Sequence, residues 1–125
     1  MTFGCSGARI GYAVGPKSLI GAFGKVRNHF GVSRIDQTGA LAALADTDYL
    51  DEVREMIAHS VERISAIGRT NGLEPLPTAT NFVTLDCGRD GDFARRVLAS
   101  LAERGVFIRM PGVAPLDRCI RASCG

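Results

Sequence analysis

Apolar residues recur every three or four positions along the first half of the chain, a spacing that predicts helices. The first helix follows Pro16, because proline suits the first turn of a helix, and the second follows Ser33, whose hydroxyl suits an N-cap. A third, longer helix begins at Asp46 or Thr47. Its apolar stripe consists of Leu50, Val53, Ile57, Val61, Ile64 and Ile67. Ahead of these helices, the alternating pattern of Ile10–Val14 predicts one short strand.

The second half of the chain has the pattern of short strands around one helix. Strands are predicted over Asn81–Asp86, Val106–Met110 and Cys119–Cys124. The helix begins after Asp90 and ends at Gly105, since these residue types suit an N-cap and a left-handed C-terminal turn. This order predicts an α/β fold in which helices cover a short sheet.

The predicted elements divide the chain into three parts: residues 1–45, a long connecting helix over residues 46–72, and a C-terminal α/β domain over residues 73–125. The first part holds a single strand, and a single strand is not stable in water. Its helices are rich in small residues that suit close packing. We therefore expect the first part to need further protein surface, either from a longer chain of which this is the C-terminal portion or from a partner.

Charge and hydropathy exclude two classes of partner. Lysine and arginine number 15 against 13 aspartates and glutamates, so the net charge is +2, too balanced for a nucleic-acid arm or a polybasic membrane patch. The longest apolar run, Ala40–Ala45, has six residues, whereas a membrane span needs roughly 18. The N-terminal residues do not form a signal-peptide pattern. We expect a protein that binds neither nucleic acid nor membranes.

The cysteines point to a reducing compartment. The four cysteines are Cys5, Cys87, Cys119 and Cys124, and their lack of tight pairing is typical of reduced thiols in a cytoplasmic protein. A zinc site needs CxxC pairs or a Cys/His cluster, and neither His29 nor His59 is close to these cysteines in sequence. The sequence therefore predicts a cytoplasmic location and no metal site.

Arginine dominates the basic residues, and its planar guanidinium suits carboxylate and phosphate. Arg9 follows a glycine-rich turn, where backbone and side chain are able to approach an anion. Arg121 shares one face of the last predicted strand with Cys119 and Ser123, and Arg109 lies in the strand before it. Arginines are also common as solvated surface residues, so residue type alone leaves both interpretations open for all three.

Four segments, taken in order, resemble one known family. Phe3–Tyr12 (FGCSGARIGY) resembles the stretch that follows the cofactor lysine in the fold-type I, pyridoxal-phosphate-dependent aminotransferases, and the histidinol-phosphate aminotransferase branch is the most similar. Asn81–Val83 resembles the strand that enters the small domain of that family, and Gly105–Arg109 resembles its Gly-Val-x-x-Arg strand. Cys119–Gly125 resembles its closing Arg-x-Ser-x-Gly motif. The resemblance spans the whole chain but only the C-terminal portion of such an enzyme.

The resemblance implies a fold, a cofactor and a site. The first part of the chain would be a remnant of the large cofactor-binding domain, and the last part the small domain. Arg9 would bind the phosphate of pyridoxal 5'-phosphate, and Arg121 would bind the acidic group of the substrate. In the histidinol-phosphate branch, Arg121 and Arg109 would face a phosphate or carboxylate. Asn81 is a further substrate-binding candidate, although asparagine after a turn often makes only a local bond.

In the family, an amino acid or histidinol phosphate exchanges its amino group with a 2-oxo acid, a reaction of amino-acid and histidine biosynthesis, and the full-length enzymes are homodimers. The resemblance therefore implies two small-molecule partners, an amino donor and a 2-oxo acid.

One position departs from the family pattern. The family lysine lies eight residues before the phosphate arginine, and Met1 stands at that position here. Lys17 and Lys25 match no family position. Without the Schiff-base lysine, the 125 residues lack both nucleophile and proton carrier. We therefore expect no catalytic residue and no autonomous activity in this chain. The alternative interpretation is a non-catalytic α/β domain that binds a partner protein or a small anion.

Overall fold

The structure, a computed structural model, describes Gly7 and residues 10–124. The chain divides into two compact units, Met1–Asp51 and Glu52–Gly125. The domain boundaries expected after residues 45 and 72 stay predictions.

The first unit contains two short helices, as predicted. Helix α1 (Lys17–Val26) follows Pro16. Helix α2 (Arg34–Ala45) begins with a reciprocal cap, in which Ser33 Oγ accepts from the backbone N–H of Asp36 and the Asp36 carboxylate accepts from the backbone N–H of Ser33. Neither helix buries a single residue. Their stability therefore owes little to packing within the unit.

The strand predicted over Ile10–Val14 is wrong, because residues 10–16 form no regular secondary structure. The alternating pattern was typical of a strand, but a strand also needs a hydrogen-bonding neighbour. No strand of the described residues pairs with this segment.

The long helix α3 (Thr47–Thr70) agrees with the prediction at both ends. Asp46 caps it, since its Oδ1 accepts from the backbone N–H of Tyr49 at 3.1 Å. At the other end Gly72 has a φ of 74°, and the backbone N–H of Leu73 donates to the carbonyl of Gly68 at 2.9 Å. Only a residue that tolerates positive φ allows the chain to leave the helix in this way.

A three-stranded antiparallel sheet follows, in the order β1-β2-β3. Strand β1 (Glu74–Pro75) has two residues and was not predicted. Strands β2 (Phe82–Asp86) and β3 (Cys119–Ser123) were predicted, each one residue longer than observed. In their register Thr84 lies opposite Arg121. The register decides which side chains share a face of the sheet.

Helix α4 (Gly91–Glu103) connects β2 to the later part of the chain. Asp90 caps it, because its Oδ1 accepts from the backbone N–H of Phe93 at 2.8 Å, and Gly105 with a φ of 75° follows its end. The strand predicted over Val106–Met110 is reduced to a single bridge between Arg109 and Arg121. The residues on either side of the bridge have no ladder partner in the described sheet.

The core lies on one face of the sheet, under α3 and α4. Its buried members are Val83, Leu85, Cys87, Ala94, Ile120 and Cys124. Partly buried apolar residues of α3 and α4 pack against them, including Ile57, Val61, Ile64, Phe93 and Val97. Helix α3 comes closest at Gly68, where a Cβ atom would lie 2.7 Å from Cδ2 of Leu85. The described part of the second unit therefore has two layers, with helices over one face of the sheet.

Candidate functional site

The strand pairing places two predicted site residues side by side. The backbone N–H of Arg109 donates to the carbonyl of Arg121 at 3.0 Å, and the N–H of Arg121 donates to the carbonyl of Arg109 at 2.6 Å. Residues that exchange both hydrogen bonds are directly opposite, so their side chains leave the sheet on the same face. The structure therefore brings Arg109 and Arg121 together.

This face is opposite the one on which α3 and α4 pack, and it is partly open around Arg121, although Cys119 farther along it is buried. Along β2, Val83 and Leu85 are buried, whereas Phe82 and Thr84 between them are half-buried. Arg121 lies opposite Thr84 and is also half-buried, and Arg109 is exposed. The alternation of a strand explains the difference, because neighbouring side chains point to opposite faces. The two guanidinium groups are accessible to a solute on this partly open face.

Each of the two arginines lies over an aromatic ring. The Cζ atom of Arg121 is 4.7 Å from the ring centroid of Phe82, and that of Arg109 is 5.9 Å from the ring centroid of Phe107. Both distances are within the range of a cation–π attraction. No carboxylate among residues 10–124 forms an ion pair with either arginine.

Arg118, three residues from Arg121, has a different environment. Its Nε and Nη2 donate to Oδ2 of Asp86 at 3.0 and 2.6 Å. The backbone N–H of Gly88 is the main cause that holds the pKa of Asp86 below its ordinary value. Partial burial raises this pKa, and the hydrogen bonds and charge of Arg118 lower it further. The positive charge of Arg118 is thus neutralised within the fold, whereas the charges of Arg109 and Arg121 are not.

Two like charges directly opposite each other on a sheet destabilise it. The Arg109–Arg121 pair therefore gains from any anion that lies between the two guanidinium groups. Guanidinium groups bind carboxylates and phosphates through paired N–H donors. The chemistry of this pair fits an acidic group of a small molecule.

Asn81, the further substrate-binding candidate, hydrogen-bonds to Cys124 in this structure, and its role in substrate binding stays a prediction. The side-chain amide of Asn81 donates to the backbone carbonyl of Cys124 at 3.4 Å, and the backbone carbonyl of Asn81 accepts from the backbone N–H of Cys124 at 2.8 Å. Both bonds join the start of β2 to the end of β3. Arg9, predicted to bind the cofactor phosphate, lies outside the described residues.

Phe82 is the residue at this site that residue-type reasoning missed. It entered the sequence argument only as part of the Asn81–Val83 segment. Its ring lies on the face of Arg121 because β2 and β3 pair with Phe82 opposite Ser123. The alternation of β2 could have placed Phe82 on the polar face, but its nearness to Arg121 depends on the strand register.

The described cysteines and acidic residues give no sign of a metal centre. Cys87, Cys119 and Cys124 are free and buried, and desolvation raises the pKa of each thiol. Across residues 10–124 no three His, Cys, Asp or Glu side chains are grouped to hold a metal ion. Within that same range, no helix has the length and apolar character of a membrane span.

Comparison with known proteins adds to this geometry. The family model described as aminotransferase class I and II matches residues 2–125. The chain is 32% identical over 123 residues to histidinol-phosphate aminotransferase 2 of Ralstonia nicotianae, covering 98% of this chain and 33% of the relative. It is 35% identical over 124 residues to histidinol-phosphate aminotransferase 1 of Cupriavidus pinatubonensis, with the same coverage.

A solved structure is also similar. It is the crystal structure of histidinol-phosphate aminotransferase from Sinorhizobium meliloti in complex with pyridoxal-5'-phosphate, with 55% sequence identity and a TM-score of 0.92. The match covers 98% of this chain and 34% of that one. The chain thus spans about a third of the length of the relatives it matches. The fold class predicted from the sequence is confirmed.

Proposed function

The chain belongs to the aminotransferase class I and II family, whose model matches residues 2–125, and from that membership we propose that it forms the substrate-anion-binding part of a histidinol-phosphate aminotransferase. The observation that carries this proposal is the Arg109–Arg121 pair. The two arginines exchange backbone hydrogen bonds on the partly open face of the sheet, and no carboxylate of residues 10–124 neutralises them.

The proposed substrates are histidinol phosphate as amino donor and a 2-oxo acid as acceptor. Each carries an acidic group that suits a guanidinium fork. A phosphate carries up to two negative charges, so two adjacent arginines match it better than one. Arg121 is the middle residue of β3, and it pairs with Thr84 of β2 on one side and with Arg109 through a single bridge on the other. It therefore supplies the rigid contact, and the exposed Arg109 supplies the second charge.

Pyridoxal phosphate is the proposed cofactor, and Arg9, which lies outside the described residues, is the residue of this chain that the family resemblance assigns to it. Arg9 would hold the cofactor phosphate, since a guanidinium after a glycine-rich turn suits that group. When bound, the cofactor supplies an electron sink for the substrate carbon that loses a proton. The residues of this chain bind and orient: Arg9 the phosphate, and Arg121 and Arg109 the acidic group of the substrate.

The 125 residues carry Met1 where the family has its lysine. We propose that they do not transaminate by themselves, because no side chain at that position is able to move the proton. A cytoplasmic location is part of the proposal, supported by the three free, buried thiols. A homodimer, as in the full-length family, is proposed for the complete enzyme.

Calorimetric titration of the purified chain with histidinol phosphate tests the proposal. Removing a charged hydrogen-bonding group costs about 1.5–3 kcal/mol, so Arg121→Ala should weaken binding by roughly ten- to a hundredfold. Arg69→Ala is the matched control, because Arg69 is an exposed arginine in the last turn of α3. Equal affinities for the Arg121→Ala and Arg69→Ala variants would overturn the proposal.

A second candidate function is binding of a partner protein. It is favoured by apolar side chains that α1 and α2 leave exposed: Leu19, Phe23, Val26, Ile35, Leu41 and Leu44. Binding of a partner protein through these side chains does not require Arg121. It would gain support if the chain gave no heat with histidinol phosphate and none with free amino acids.

A further inference from the structure

We propose that Phe82 is a positioning residue, which holds the guanidinium group of Arg121 in place for the acidic group of the substrate. The inference rests on the proposed function of Arg121. Phe82 itself touches neither substrate nor cofactor in this proposal. It acts through the arginine.

The contact between the two side chains follows from the strand register. Phe82 lies opposite Ser123, and Thr84 lies opposite Arg121. Phe82 and Arg121 are therefore diagonal neighbours on the same face, a separation that aromatic and long side chains bridge. The Arg121 Cζ atom lies 4.7 Å from the ring centroid of Phe82. No rearrangement of the backbone is needed to make the contact.

The kind of partner decides what the arginine is able to do. A carboxylate partner would fix the guanidinium but also neutralise it, as Asp86 does for Arg118 through two bonds to one oxygen. A phenyl ring attracts the cation through its quadrupole and carries no net charge. Arg121 is therefore oriented while its charge and its N–H donors stay available for a ligand.

Burial makes this contact the stronger of the two arginine–ring pairs at the site. Phe82 and Arg121 are both half-buried, and partial desolvation strengthens a cation–π attraction. Phe107 is 81% exposed and its ring centroid is 5.9 Å from the Cζ atom of Arg109. The ring of Phe82 thus restricts Arg121 more than the ring of Phe107 restricts Arg109.

Restriction before binding has a measurable consequence. A long side chain loses rotamer freedom when it binds a ligand, and this loss of conformational entropy weakens binding. A side chain that is already held loses less. Removing the ring should therefore weaken binding of an acidic ligand even though no ligand contact is removed.

The first measurement needs no ligand. In the full 125-residue chain, the 1H–15N resonance of Arg121 Nε should show restricted motion in the wild type and in Phe82→Tyr, which keeps the ring. In Phe82→Leu the motion should increase. Unchanged motion in Phe82→Leu would overturn the inference whatever its effect on binding.

The second measurement is calorimetric titration of the same variants with histidinol phosphate. Phe82→Leu should weaken binding by about two- to fivefold, the fold-change expected for loss of one cation–π contact, and Phe82→Tyr should restore wild-type affinity. Phe93→Leu is the matched control, because Phe93 also has arginines over its ring but lies on α4, away from Arg121. The centroid of its ring is 4.6 Å from Arg89 Cζ and 5.8 Å from Arg96 Cζ. Phe93→Leu should leave the affinity unchanged.

Arg121→Ala separates the two proposals. If Arg121→Ala weakens binding and Phe82→Leu does not, the positioning role is overturned and the proposed function stands. If Arg121→Ala leaves binding unchanged, the proposed function fails and the positioning role fails with it. A loss of affinity that Phe82→Tyr does not restore would indicate a packing role for Phe82 and would also overturn the inference.

Discussion

At the scale of single residues, the partner of an arginine decides its role. Arg118 pairs with Asp86 and ties the end of β2 to the start of β3. Arg121 lies over the ring of Phe82, and no carboxylate of residues 10–124 forms an ion pair with it. Both arginines are close in sequence and alike in type, so residue type could not separate them. Their difference follows from which side chains the pairing of β2 and β3 brings near each one.

The Asp86 carboxylate makes the stability of the second unit depend on pH. Its pKa is lowered below 3.8 by the backbone N–H of Gly88 and by Arg118. Because the folded state then binds fewer protons than the unfolded state, this contribution is present above pH 3.8 and is lost as the pH falls through the lower folded pKa. Asp86→Asn should therefore be less stable than the wild type at pH 7, and the difference should shrink towards pH 3 in urea unfolding.

The control for that series is Asp92→Asn. Asp92 pairs with Arg95, but both side chains are well exposed, and exposed ion pairs contribute little to stability. A smaller pH dependence is expected for this variant than for Asp86→Asn. If the free energies of unfolding of the two variants depend on pH to the same extent, the Asp86–Arg118 contact stabilises the second unit no more than an exposed ion pair does.

At the scale of elements, the sequence predicted helices α1–α4 correctly but predicted the strands only in part. Ser33 and Asp90 cap the helices that they were predicted to cap, and Asp46 caps α3, for which the sequence had left Asp46 or Thr47 open. A cap depends on residues within one turn, so local sequence is enough to find it. The stretch Val106–Met110 became a single bridge and Ile10–Val14 no strand at all. A strand depends on a distant neighbour, which local pattern does not reveal.

The close approach of α3 to β2 gives a prediction at this scale. In Gly68→Ala the new Cβ would lie 2.7 Å from Cδ2 of the buried Leu85. Crowding a packed core costs about 1–3 kcal/mol, and alanine recovers about 1 kcal/mol of helix propensity. We expect Gly68→Ala to lower the free energy of unfolding in urea by roughly 1 kcal/mol. The same substitution should cost less when it is made in the Leu85→Val variant and compared with that variant.

The same substitution elsewhere should have the opposite sign. A Cβ on Gly39 of α2 meets no atom within 4 Å, so Gly39→Ala should only raise the helix content seen by circular dichroism. Should Gly68→Ala instead prove neutral or stabilising, Leu85 has room to move and the packing of α3 on β2 does not exclude a methyl group at position 68.

At the scale of the whole molecule, the two units differ in how much they bury. The second unit has a contiguous core on one face of its sheet, whereas α1 and α2 bury no residue. Phe30 and Ile35 are 95% and 84% exposed. This distribution agrees with the expectation that residues 1–45 need further protein surface, and that expectation stays a prediction.

Hydrogen exchange should resolve the two units. Amides of β2, β3 and α4 should exchange slowly, because opening them exposes the core. Amides of α1 and α2 should exchange much faster, since little burial opposes their opening. Mass spectrometry of peptic fragments measures both sets in one sample. Equal protection of the two sets would mean that α1 and α2 are covered in solution.

By itself, the sequence determined the helices, the two longer strands, the family and the identity of Arg109 and Arg121 as anion-binding candidates. These features depend on local caps, on periodicity and on short motifs, all of which are recognisable without knowledge of the fold. Only the tertiary structure decided that Arg109 lies opposite Arg121, that Phe82 lies beside them and that Asn81 bonds to Cys124. Strand register sets all three, and register is fixed by hydrogen bonds and core packing between residues far apart in the chain.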